Sequence, residues 1–323
     1  MVYLLFGLGF VALVKGADFL IEGATALAQR FGVSKLVIGL TIVALGTSMP
    51  EFAVNVFAAV KDVTDVAFGN VVGSNLANTL LVLGAMSLVF PTRLHRSTVW
   101  RDIPFSLLAA VVLLIIANDL RIDALADGAL ASGWLTRVDG LVMLSFFAVF
   151  IYYMWRVAAS RRNDLVGEGI DIPVMSRSQG ILWVSLGIVG LYFGGRWIVD
   201  GAVAIAGVLG VGNYAVSASV VALGTSLPEL ATSLRAAWRR DSDLAVGNII
   251  GSNIFNIFGI LGITAVIAPV TIPSTINASI ILLILATTLL FVFSLLEGRY
   301  RIGRSEGLTL MVMYLGYVIY LFA

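Results

Sequence analysis

Apolar runs of about twenty residues, separated by short polar breaks, follow one another along the whole chain. A helix of about 20 mostly apolar residues crosses the hydrocarbon core of a bilayer. The pattern predicts about ten such spans, at 2–28, 34–60, 66–90, 103–118, 138–158, 180–208, 212–238, 244–268, 275–296 and 306–322. A closed barrel would alternate apolar and polar residues in stretches of roughly ten, whereas the run from Leu107 to Ile116 is apolar throughout. The expected fold is an all-α polytopic membrane protein.

Composition narrows the function classes. Of 323 residues 59% are hydrophobic and only 12% charged, with a mean hydropathy of +1.01. That excludes a soluble globular domain, a disordered chain and a nucleic-acid binder. The absence of cysteine excludes disulfides, thiolate metal sites and cysteine nucleophiles. With ten spans the loops alternate sides. Arg30, Lys35, Arg93, Arg96, Arg101, Arg156, Arg161, Arg162, Arg177, Arg235, Arg239, Arg240, Arg299, Arg301 and Arg304 then share one side, and only Lys61, Arg121 and Arg137 take the other. Basic residues collect in cytoplasmic loops. Both termini are therefore expected outside, in the plasma membrane of a prokaryotic cell, with the loop at 159–179 in the cytoplasm. Ala26-Leu27-Ala28 resembles a signal-peptide cleavage site, but no positive charge precedes Val2 to Val14, so the first run is expected to be a span.

A repeat fixes the organisation. Shifted by 178, Val43-Ala44-Leu45-Gly46-Thr47-Ser48-Met49-Pro50-Glu51 lies on Val221-Ala222-Leu223-Gly224-Thr225-Ser226-Leu227-Pro228-Glu229, differing only at Met49. Without a gap, Gly69-Asn70-Val71-Val72-Gly73-Ser74-Asn75-Leu76-Ala77-Asn78 falls on Gly247-Asn248-Ile249-Ile250-Gly251-Ser252-Asn253-Ile254-Phe255-Asn256. The halves are 1–158 and 180–323, joined by the linker 159–179. Five spans per half is an odd number, so the second half enters the membrane from the opposite face. Inverted repeats place a substrate site at the midplane, where interrupted helices from both halves meet. Pro50 and Pro228 supply the interruption, each removing a hydrogen bond to the carbonyl four residues earlier. Carbonyls at 44–47 and 222–225 are expected to lose helical partners, which a bilayer tolerates only where they line a cavity or bind something.

Glu51 and Glu229 lie inside apolar stretches, where an unpaired carboxylate costs at least about 2.5 to 3.5 kcal/mol. Around them stand only oxygen donors: Thr47, Ser48, Ser74 and Asn78, with their mates Thr225, Ser226, Ser252 and Asn256. Oxygen ligands without nitrogen or sulfur favour hard cations such as Ca²⁺. A lone intramembrane Ser or Thr more often bonds its own helix, and the Gly-x-x-x-Gly pairs are expected to serve helix packing. Lys15 is expected to pair with Asp18, and Arg196 with Asp200, as local helix pairs. Asp119, Asp123 and Asp127 read as a solvated outer loop and His95 as surface, while Trp100, Trp134 and Tyr300 read as interfacial anchors. An intramembrane hydrolase would need two different carboxylate environments, and the repeat predicts near-identical ones, so no enzyme is expected.

The two motif pairs closely resemble the α-repeats of the cation/Ca²⁺ exchanger superfamily, in particular a prokaryotic Na⁺/Ca²⁺ exchanger. The resemblance implies a ten-helix antiporter that exports Ca²⁺ for Na⁺ by alternating access, without a cofactor. It implies a central Ca²⁺ site of Glu51, Glu229 and the backbone oxygens of Thr47 and Thr225, with Asn78 near the centre. Flanking Na⁺ sites would draw on Ser48, Ser74, Ser226, Ser252 and the carbonyls of Ala44 and Ala222. Some relatives carry Asp where this chain has Asn256. The site then holds two formal charges, which argues against K⁺ co-transport. The alternative is an H⁺-coupled exchanger, in which both Glu residues would titrate. Its branch carries an acid where this chain has Gly73 and Gly251. Oligomeric state is not legible, and the partners expected are lipid and the transported ions.

Overall fold

The computed structural model describes residues 1–60, 64–119, 133–160, 175–208, 224–272, 276–296 and 300–322. Ala222, Asp123, Asp127, residues 161–174 of the linker and 212–223 of the expected seventh span lie outside the described residues. Among the described residues, seven helical stretches are long and apolar enough to cross a bilayer, and a bent pair makes an eighth.

The helices run α1 (Val2–Phe31), α2 (Lys35–Thr47), α3 (Met49–Val60), α4 (Thr64–Leu76), α5 (Leu83–Val89), α6 (Ile103–Ile116), α7 (Arg137–Ser160), α8 (Arg177–Val208), α9 (Leu227–Trp238), α10 (Ser242–Ile254), α11 (Gly262–Ile267), α12 (Ile276–Leu295) and α13 (Arg304–Phe322). Continuous spans were the expectation at 66–90 and 244–268. Instead each contains a π-helical segment, Ala77–Val82 after α4 and Phe255–Leu261 after α10. These are repeat mates, and π segments concentrate where a helix is reshaped around a site.

The predicted interruptions are present in both halves. α2 and α3 meet at Ser48 with a bend of 48°. Ser48 takes φ −83°, ψ 9°, and Ser226, before α9, takes φ −87°, ψ 2°. Both sit in the sparsely populated bridge between helix and strand. One expectation needs correcting: the Ser48 N–H still donates to the Ala44 carbonyl at 3.0 Å, so that carbonyl keeps one helical partner. The ring of Pro50 leaves it without an N–H, so the donor withdrawn is the one Gly46 would have used.

Glycines let the halves approach closely. A Cβ built at Gly247 would lie 2.7 Å from the Leu36 carbonyl, and one at Gly251 2.5 Å from that of Leu40. α10 therefore lies directly on α2, which brings Asn248 and Ser252 against Ala44 and Thr47. α1 and α8 run antiparallel along a similar seam, where a Cβ at Gly16 would meet Leu191 N at 2.7 Å and one at Gly194 would meet Leu13 N at 2.7 Å. Two short ribbons tie the halves together. β1 (Thr92–Arg93) pairs with β4 (Arg301–Ile302), and β2 (Trp134–Leu135) pairs with β3 (Val270–Thr271).

Asp18 corrects a second expectation. It does not turn to Lys15, three residues away and exposed; it binds Arg235 of α9 and Arg239 at the C-terminal end of that helix. Asp18 lies on the buried face of α1 that meets α9, and the bidentate reach of a guanidinium outcompetes a lysine pointing outward. Arg196 does pair with Asp200, at 3.8 Å. His95 is half-exposed and faces Asp243 at 3.4 Å.

Candidate functional site

Both glutamates sit in the first turn of a helix that starts at a break, Glu51 in α3 and Glu229 in α9. Unsatisfied N–H groups and the helix dipole favour negative charge there. Both are 0% exposed. Neither has a basic partner: every ion pair among the described residues lies elsewhere.

One hydroxyl from the opposite half and one from its own half approach Glu229. Ser48 Oγ donates to Glu229 Oε1 at 2.8 Å, and Ser252 Oγ lies 3.5 Å from the same oxygen. Ser74 Oγ donates to Glu51 Oε1 at 3.3 Å. The repeat mate of the first bond is not made, because Ser226 Oγ has no partner among the described residues. The two halves therefore sit in similar but not identical states around the site.

A lattice of asparagine amides crosses between the π segments. Asn78 Nδ2 donates to Asn253 Oδ1 at 3.2 Å, and Asn256 Nδ2 donates to Asn75 Oδ1 at 3.0 Å. These two bonds exchange under the shift of 178. They occupy the amide nitrogens, so each outer amide presents its oxygen elsewhere. Around the two breaks, the buried carboxylate and amide oxygens Glu51 Oε2, Glu229 Oε2, Asn78 Oδ1 and Asn256 Oδ1 stand without hydrogen-bond partners among the described residues. A buried acceptor left unpaired costs about 1–3 kcal/mol, more when charged. Acceptors without donors are what a desolvated hard cation needs. No three His, Cys, Asp or Glu gather among the described residues, so the donor set here is two carboxylates and neutral oxygens.

Most of the residues singled out from the sequence belong to this region. Thr47, Ser48, Glu51, Ser74, Asn78, Ser226, Glu229, Ser252 and Asn256 are all buried, and Thr225 is 9% exposed. Ala44 is brought beside Ser252, whose Oγ lies 3.4 Å from its carbonyl. A cavity of about 220 Å³ lies between α3, α8 and the second break, lined by Pro50, Phe57, Arg196, Asp200, Thr225 and Pro228 among others.

The profile of the family described as "Sodium/calcium exchanger protein" matches residues 1–156 and 179–323. The chain belongs to that family. It is 38% identical over 321 residues to the putative antiporter CaxA of Alkalimonas amylolytica, covering 98% of this chain and 97% of the relative. It is 31% identical over 353 residues to the sodium/calcium exchanger MaX1 of Methanosarcina acetivorans, covering 99% and 98%. In structure it is similar to the sodium-calcium exchanger NCX_Mj soaked with 10 mM Na⁺, with a TM-score of 0.81, 29% identity and 99% of both chains covered. This family member is accordingly a membrane transporter of the cation/Ca²⁺ antiporter type.

Two asparagines beside the breaks stood outside the expected site set of this exchanger. Asn70 and Asn248 stand in the repeated motifs, yet their bonds run to the breaks: Thr47 Oγ1 donates to Asn248 Oδ1 at 2.9 Å, and Thr225 Oγ1 to Asn70 Oδ1 at 3.4 Å. The signal was available, since an amide repeated inside an apolar span needs partners.

Proposed function

We propose that the chain exports Ca²⁺ in exchange for Na⁺ by alternating access through ten spans, arranged as inverted halves 1–158 and 180–323 around the cytoplasmic linker 159–179. Both termini face outward, in the inner membrane of a prokaryotic cell. The observation that carries the reading is the set of unpartnered acceptor oxygens on Glu51, Glu229, Asn78 and Asn256. Ca²⁺ would be held by both carboxylates and the backbone oxygens of Thr47 and Thr225, with Asn78 and Asn256 lining the site. Na⁺ would use Ser48, Ser74, Ser226, Ser252 and the carbonyls of Ala44 and Ala222.

Energetics favour several Na⁺ per Ca²⁺. Expelling Ca²⁺ against a 10⁴-fold gradient and 100 mV costs about 10 kcal/mol, while each Na⁺ entering down a tenfold gradient returns about 3.7 kcal/mol. Three ions suffice under those gradients and two do not. The two carboxylates also supply the rule against leak. Ionised and empty, they would bear an uncompensated desolvation cost, so the site changes sides only when loaded.

The test is Ca²⁺ flux in proteoliposomes under imposed gradients. Efflux driven by inward Na⁺, and unmoved by a pH gradient alone, is expected. Flux that ignores Na⁺ and follows pH would replace this reading with H⁺-coupled exchange.

A further inference from the structure

The Thr47 hydroxyl has one proton and three buried oxygens beside it, Asn248 Oδ1 at 2.9 Å, the Ala44 carbonyl at 3.3 Å and, more distantly, Ser252 Oγ at 3.5 Å. A helical threonine ordinarily bonds the carbonyl three or four residues back. Here the shorter contact leads to an amide from the other half of the chain. That amide cannot turn its nitrogen toward Thr47 without losing its own anchor, because Asn248 Nδ2 donates to Ser233 Oγ at 3.1 Å. Asn248 and Ser233 are both 0% exposed. The first half repeats the device. Thr225 Oγ1 donates to Asn70 Oδ1, Asn70 Nδ2 donates to Asn55 Oδ1 at 2.8 Å, and Asn55 Nδ2 donates to the Ala67 carbonyl at 3.2 Å.

The Ala44 carbonyl has two lone pairs. One accepts the Ser48 N–H at 3.0 Å. The second is contested by Thr47 and by Ser252, whose proton also has a carboxylate within 3.5 Å to receive it. If Thr47 donated to Ala44, no lone pair would face an entering ion. We infer that Asn248 is a positioning residue that draws the Thr47 proton off the broken helix and thereby keeps the Ala44 carbonyl open to Na⁺, with Asn70 bonded to Thr225 at the mate position. The inference rests on the exchange reading above and deepens its Na⁺ side. It separates the ions: Ca²⁺ relies chiefly on the carboxylates, whereas a monovalent ion at Ala44 relies on a neutral carbonyl that one misplaced proton blocks.

The experiment uses the full chain in proteoliposomes and compares Na⁺-driven Ca²⁺ efflux with Ca²⁺–Ca²⁺ exchange in the absence of Na⁺. Asn248→Ala is expected to raise half-saturating Na⁺ by about tenfold or more, the effect of losing one modest ligand contact, while half-saturating Ca²⁺ moves less than about threefold. Adding Thr47→Val to Asn248→Ala removes the offending proton and should bring half-saturating Na⁺ back to within about threefold of the starting value. Ser233→Ala, which frees only the anchor, should shift Na⁺ in the same direction by a smaller factor. This last variant decides the matter if Asn248→Ala does not fold. Na⁺ and Ca²⁺ half-saturation rising together, a double variant no better than the single one, or Ser233→Ala without any Na⁺ shift would each overturn the inference. Absence of Na⁺-driven efflux from the unmodified protein would instead overturn the exchange reading itself, and this inference with it.

Discussion

Asp18 Oδ1 accepts from Arg235 Nε at 2.6 Å and from an Arg239 amino group at 2.6 Å, clasping α1 to α9 across more than two hundred residues of chain. Glu22 joins at 3.0 Å from Arg239. The repeat does not copy this clasp. Adding 178 to Asp18 gives Arg196, and subtracting 178 from Arg235 gives Phe57. Those two mates both line the cavity beside the second break. One side of the molecule is thus tied by ion pairs, and its mirror position is open.

Removing the clasp should be felt in stability. The Asp18 side chain is 11% exposed, between the exposed and fully buried cases. Asp18→Asn should therefore cost about 1–3 kcal/mol, against at most about 0.5 kcal/mol for Arg196→Gln on its exposed helix pair. Thermal unfolding in detergent compares the two variants. Equal melting temperatures would mean that the clasp holds nothing.

The cavity should be reachable from one side of the membrane only. The chain has no cysteine, so a single Val54→Cys carries no background. A membrane-impermeant thiol reagent is expected to modify it from the clasp-free side, and loss of the clasp in Asp18→Asn should slow that modification by shifting molecules toward the opposite opening. Labelling from both sides, or an unchanged rate in the variant, would disconnect the clasp from access.

Glu51→Gln and Glu229→Gln keep the shape of the side chain and remove its charge. Each should lower Ca²⁺ flux in proteoliposomes by at least about a hundredfold, because a divalent ion in low dielectric loses half its neutralising charge. Expression and thermal unfolding should change little. Either variant transporting at the unmodified rate would remove the carboxylates from the ion path.

Close packing gives a contrasting pair of glycine substitutions. Gly251→Ala forces a methyl to within 2.5 Å of the Leu40 carbonyl, whereas Gly316→Ala meets nothing within 4 Å. The first should destabilise by about 1–3 kcal/mol. The second should be neutral or stabilising by up to about 1 kcal/mol, as alanine replaces glycine in a helix. Detergent-stability curves for the two should separate clearly.

Much of the architecture was legible because the chain states it twice. Near-identical runs around Pro50 and Pro228 located both breaks, and carboxylates without nearby bases located the centre. What stayed hidden depends on which residue of one half faces which residue of the other. Lys15 looked like the partner of Asp18 because a local rule sees only three or four positions along a helix. Arg235 wins through contact between α1 and α9, which no spacing encodes. The π segments at Ala77–Val82 and Phe255–Leu261 were equally unreadable, since an extra residue per turn leaves apolar composition unchanged. The roles of Asn70 and Asn248 were obscured for the opposite reason: they sit in a motif so regular that it reads as packing.

A site assembled from both halves has a history during synthesis. Glu51 leaves the ribosome 229 − 51 = 178 residues before Glu229 exists. At roughly 5–20 residues per second, that is about 9 to 36 seconds in which the first acid is without its mate. Until α10 arrives to lay Asn248 against Thr47, the first half is an unfinished object with a carboxyl group it cannot retire into oil as an anion.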